Sequence, residues 1–146
     1  LLVADLGEQP AEAILREIGE PRLRGMLRLA GYIPNSDLPA IYNRASAFLY
    51  TSLRESFGIP QLEAMACGTP VVTSATSAIP EVAGKGAILV DPTDPTAIAD
   101  ALLRLETDAA FRAEQVAYGL ERVKQFSWEK TARHLLALYE SLGKTN

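Results

Sequence analysis

The stretch "TSLRESFGIPQLEAMACGTPVV", residues 51–72, holds the residues best suited to chemistry. Glu55 falls in a loop, Glu63 in a short helix, and Phe57-Gly58-Ile59-Pro60 lies between them. A helix N-terminus carries unpaired N–H groups and a partial positive charge, so it suits an anion, above all a phosphate. Gly58 lets a ligand come close to the backbone, and the N–H groups of Phe57, Gly58 and Ile59 are the candidate donors. Pro60 has no N–H but stiffens the turn. A carboxylate is the wrong partner for a phosphate and a strong acceptor for sugar hydroxyls. Glu55 and Glu63 therefore suggest a ligand with two hydroxyl-rich ends and a phosphate between them, of which a nucleotide-sugar is an example. Spacing alone leaves a plainer alternative open, with Glu63 a water-facing helix residue and Glu55 a loop charge.

The elements around this stretch alternate. Apolar runs at 1–6, 26–33, 47–52, 70–75 and 87–91 read as strands, rich in Val, Leu and Ile. Helical spacing marks 10–19, 35–45 and 59–67, with a single turn at 79–84. Asn35 or Ser36 is a candidate cap for the second of these helices, and Gly68 closes the third. Three amphipathic helices follow, the first capped by Asp94 and the last by Ser127. Alternation of short apolar strands with helices predicts a Rossmann-like parallel sheet covered on both faces. Ligands in such folds sit beyond the carboxyl ends of the strands, which draws attention to loops 31–36, 52–59 and 75–80. No repeat or linker is visible, so residues 1–146 read as a single domain.

Composition removes several classes. A net charge of −4 without a dense Lys/Arg run gives no footprint for nucleic acid. Cys67 and His134 are the only residues of their types, so neither an internal disulfide nor a Cys/His zinc cluster can form. Cys67 reads as a buried structural thiol, His134 as a partly exposed packing residue, and Trp128 and Tyr139 as core or docking residues of a helix. Asp91 and Asp94 read as capping residues, and no metal site is expected.

The segment "ESFGIPQLEAMACGTPVV" resembles the E-x7-E signature of retaining glycosyltransferases of family 4, which have the GT-B fold. "RLAGYIPNSDLPAIYNRASAFLYTS" precedes it, and "IPEVAGKGAILVDPTDPTAIADAL" and "FSWEKTARHLLALYESL" follow, in the family's order. The resemblance implies the C-terminal, donor-binding half of a GT-B enzyme that moves a sugar from a nucleotide-diphosphate-sugar to an acceptor hydroxyl with retention. By position, Glu55 would contact the donor sugar and Glu63 the ribose. The amides of Gly58 and Ile59 would approach the diphosphate, Gly31, Tyr32 and Ile33 would border the base, and Ser52, with Thr51, would lie near the same crevice. No cofactor is implied, since the nucleotide-sugar is a substrate. The partner implied is an N-terminal GT-B domain that carries the acceptor site. A cytoplasmic location follows, with peripheral membrane association through that other domain left open. The alternatives are a non-catalytic nucleotide- or protein-binding module of this fold, and another GT-B enzyme such as a sugar-nucleotide epimerase.

Two departures qualify the resemblance. The Arg and Lys that the family places in its first strand–helix segment have no counterpart, and the chain begins on "LLVADL", without an initiator Met. The expectation is a truncated domain lacking its first, central strand and first helix. The remaining five strands should divide, with 1–6 and 27–31 paired and 47–51, 70–74 and 87–90 forming a second set.

Overall fold

The computed structural model describes residues 1–4, 8–20 and 22–143, and the end of the first expected strand, at residues 5 and 6, lies outside them. Five short strands are present among these residues: β1 (Leu2–Ala4), β2 (Arg28–Gly31), β3 (Phe48–Tyr50), β4 (Val71–Ser74) and β5 (Ala87–Val90). Their helices are α1 (Glu8–Ile18), α2 (Arg22–Met26), α3 (Leu38–Arg44), α4 (Ile59–Ala66), α5 (Ile79–Ala83), α6 (Pro95–Thr107), α7 (Ala109–Val123) and α8 (Trp128–Gly143). All pairings are parallel, and the strands divide as expected into a pair, β1-β2, and a triple, β3-β4-β5.

The chain forms two compact units, Leu1–Ala40 and Ile41–Asn146. In the first, Leu2 and Val3 stand in register with Arg28 and Leu29. The α2 helix was not foreseen, because Gly25 and three arginines within residues 22–28 hide any apolar period. Its Arg24 forms an ion pair with Glu12 of α1.

In the second unit β4 is the central strand and all four of its residues are buried, so both sheet faces are covered. Alternation sends Val72 to one face, where it meets Val90, Ala101 and Leu105. The other face is closed by α4 and α7, whose close approach depends on glycine. A Cβ on Gly119 would stand 3.1 Å from Met65 Cγ, and one on Gly86 would stand 3.2 Å from the Gly119 backbone.

Caps explain most boundaries. Asp94 accepts from the N–H groups of Thr96 and Ala97, at 2.9 and 3.1 Å, with Pro95 opening α6. Ser127 accepts from the N–H of Lys130 at 3.1 Å and so caps α8. Asp91 serves the preceding turn, where its Oδ1 accepts from Thr93 N and Oγ1, and these bonds hold its carboxyl below the usual range. Asp94→Ala should cost about 1 kcal/mol of stability; an unchanged urea midpoint would show that the cap is dispensable.

Three expectations need correction. Helix α3 begins at Leu38, so Asn35 and Ser36 lie in the preceding turn and do not cap it; Pro34 O accepts from Asp37 N there instead. Cys67 is only half-buried, since it caps α4 at the surface end of the helix. Trp128 and Tyr139 are 81% and 68% exposed, which removes the core alternative for both and leaves the docking one, and His134 is exposed where partial exposure was expected.

Candidate functional site

Glu55 and Glu63 both lie in the second unit, at the carboxyl end of β3 and on α4. Gly58 adopts the left-handed conformation, φ 84 and ψ 56, at the N-cap of α4, and no side chain caps that helix. A Cβ at this position would meet Gln61 Nε2 at 2.9 Å and Tyr50 Cε1 at 3.5 Å. The start of α4 is thus without a side-chain cap, and Gly58 itself is buried beside Gln61 and Tyr50. Gly58→Ala should destabilise the protein by about 1–2 kcal/mol through the left-handed backbone alone. A urea transition that does not move would refute this account of the turn.

The loop that carries Glu55 is bound to the next strand by a ladder of hydroxyls. Thr73 Oγ1 donates to Tyr50 O at 2.9 Å, Ser74 Oγ to Ser52 O at 2.6 Å and Thr76 Oγ1 to Leu53 O at 3.2 Å. Ser77 Oγ donates to Glu55 O and accepts from Glu55 N at 3.0 Å. Each rung satisfies a carbonyl that a loop would otherwise leave to water. The sequence marks 70–75 as a strand and 75–80 as a loop of interest; the signal for the ladder is the four hydroxyls of "TSATS", residues 73–77, which span the end of β4 and that loop.

Each signature carboxylate also meets a tyrosine that the sequence did not single out. Tyr50 OH donates to Glu55 Oε1 at 2.5 Å, and Tyr42 OH approaches Glu63 Oε2 at a longer 3.4 Å. Phe48 joins the two, 5.2 Å from the Tyr42 ring edge-on and 5.8 Å from the Tyr50 ring in a stacked arrangement. The Glu55 carboxyl is held below the ordinary range, first by the Tyr50 hydrogen bond and then by that of Ser52. Tyr42 is pushed up to about 12 by burial and then by Glu63, and Tyr50 is raised by burial and then by its bond to Glu55. Both phenols therefore remain protonated donors at neutral pH.

Of the other expected residues, Ser52 belongs to this loop, and its hydroxyl is also 3.4 Å from the Arg54 carbonyl. Phe57 and Ile59 are 40% and 46% exposed, and the Phe57 ring packs edge-on against Phe126 at 5.7 Å. Gly31 ends β2 in the first unit and Tyr32 and Ile33 follow it, with Gly31 at φ 60 and Tyr32 exposed.

The sequence profile of the glycosyl transferases group 1 matches residues 1–122. The chain belongs to this family. The O-antigen chain mannosyltransferase B of Escherichia coli is 42% identical to this group 1 domain over 118 residues, which are 81% of the chain and 31% of that protein. The sucrose-phosphate synthase of Thermosynechococcus elongatus superposes with a TM-score of 0.84 at 30% identity, covering 100% of this chain and 39% of that one. The C-terminal domain of the group 1 protein LpcC from Francisella tularensis gives 0.65 at 26% identity, covering 81% and 60%. The group 1 domain thus spans about a third of the curated relative's length, and its α/β architecture is that of GT-B C-terminal domains.

Proposed function

We propose that this chain binds the donor of a retaining glycosyltransferase that moves a hexosyl group from a nucleotide-diphosphate-sugar to an acceptor hydroxyl. The observation that carries the reading is the left-handed Gly58 at an uncapped helix start, with a fixed carboxylate on the loop before it and another on the helix after it. Glu55 accepts from hydroxyls of the donor sugar, and Glu63 from the ribose. The amides of Gly58 and Ile59 receive the diphosphate as negative charge grows on it in an oxocarbenium-like transition state. The leaving group and the incoming acceptor use one face of the sugar, which keeps the anomeric configuration. The acceptor is held by a second domain outside this chain.

Calorimetry with the full-length protein tests the binding half of this reading, using UDP-glucose, GDP-mannose, UDP and GDP as probes. At least one sugar-bearing probe should bind, and EDTA should leave its affinity unchanged, because the carboxylates here accept hydroxyls and hold no ion. Proton NMR of the transfer product should show the donor's own anomeric configuration. Failure of every probe to bind, a strong Mn²⁺ or Mg²⁺ requirement, or an inverted product would overturn the proposal.

A further inference from the structure

Tyr50 is the last residue of β3, and every part of it is held. Its backbone pairs with Thr73 and accepts from that residue's hydroxyl at 2.9 Å. Its ring stacks on Phe48, with centroids 5.8 Å apart and planes 18° apart. Its hydroxyl reaches Glu55 Oε1 at 2.5 Å. Glu55 is also gripped at the main chain, where Ser77 bonds both its N–H and its C=O. Among the described residues Ser77 is the non-glycine residue with positive φ, at 61°. Such conformations persist where the surroundings enforce them and often mark functional loops.

A glutamate on a loop normally has three free torsions to settle when a ligand arrives, and that ordering weakens binding. Here one carboxylate oxygen is already tied to a rigid phenol and the backbone is tied to Ser77. We propose that Tyr50 is a positioning residue for the donor sugar: it fixes the Glu55 carboxylate, on a backbone fixed by Ser77, so that the acceptor oxygens are in place before the donor binds. This rests on the reading of Glu55 as the residue that contacts the sugar. Burial, and then the bond to Glu55, keeps the phenol protonated, so it stays a donor through the neutral range.

Tyr50→Phe in the full-length protein tests this, since phenylalanine keeps the ring and its packing on Phe48. Affinity for the sugar-bearing probe that binds, UDP-glucose or GDP-mannose, should fall roughly tenfold. Affinity for the matching UDP or GDP, which lacks the sugar, should stay within about twofold, and the melting temperature should hold. In a Glu55→Ala background the Tyr50→Phe change should add nothing further, because the acceptor through which the phenol acts is gone. Ser77→Ala provides a second variant with the same expected split between sugar-bearing and sugar-free probes. Equal loss of both probes, or full additivity with Glu55→Ala, would make Tyr50 merely structural and overturn the proposal. If Glu55→Ala itself leaves sugar-probe affinity intact, the donor-site reading fails first and the role of Tyr50 falls with it. If Glu55→Ala weakens binding and Tyr50→Phe does not, only the positioning role is wrong.

Discussion

Glu55→Ala should lower transfer from a nucleotide-sugar by roughly ten- to a hundredfold, and it should do so without loosening free nucleoside diphosphate. The magnitude is that of a lost hydrogen bond to a charged group, converted at about 1.4 kcal/mol per factor of ten. The selectivity comes from position. Glu55 lies on the loop after β3 and Glu63 on α4, with the left-handed Gly58 between them. The proposed placement of the diphosphate at Gly58 leaves one carboxylate for each end of the donor. Glu63→Ala should therefore weaken the nucleotide-sugar and the free nucleoside diphosphate together, by roughly tenfold or more. Acidity adds a second readout. Tyr50 and Ser52 hold the Glu55 carboxyl below its ordinary value, so it stays an ionised acceptor through the usual carboxylate range. Its contribution is present above that range and is lost only as pH falls through the depressed value. Donor affinity of the wild type should stay level down to about pH 5, measured by calorimetry in the full-length protein. Loss of the free nucleoside diphosphate in the Glu55 variant, or no loss of transfer, would contradict the assignment.

The legible parts of the molecule were those governed by local pattern. Apolar runs located the start of β1 and both ends of the other four strands to within two residues, because strands such as β4 and β5 are short, apolar and bounded by turn residues. Asp94 and Ser127 announced their helices because a cap is a local hydrogen bond. Asn35 and Ser36 had the same credentials and failed, since the Pro34–Asp37 turn delayed the helix to Leu38. At the candidate site, glycine and proline marked the start of α4, but nothing local says that Tyr50 and Tyr42 stand behind the two glutamates. Those contacts join β3 to its following loop and α3 to α4, and the pairing of Glu63 with Tyr42 spans 21 residues. The Thr73–Ser77 ladder was hidden for the same reason, as its partners lie 22 or 23 residues earlier across a parallel pairing.

Leu105→Ala should be the most destabilising single truncation in the cluster beneath β4 and β5, costing about 2–5 kcal/mol. Leu105 is 1% exposed and packs with Val72, Val90 and Ala101. Ile98, Leu102 and Phe111 flank the cluster, so a cavity there cannot collapse without moving α6 against the sheet. Leu103 on the same helix is 61% exposed and supplies the control, since its truncation should change stability by no more than about 0.5 kcal/mol. Urea denaturation of the two variants, followed by circular dichroism, measures the difference. The same pair separates stability from function. Leu105 supports the face of β4 that carries Val72, while the Thr73 hydroxyl reaches the Tyr50 carbonyl within the sheet and Ser74 binds the Ser52 carbonyl beyond its edge. Loss of the leucine should therefore reduce the amount of folded protein and leave donor affinity per folded molecule unchanged. A Leu105→Ala protein as stable as the Leu103→Ala control would mean that α6 does not hold the sheet in the way its burial indicates.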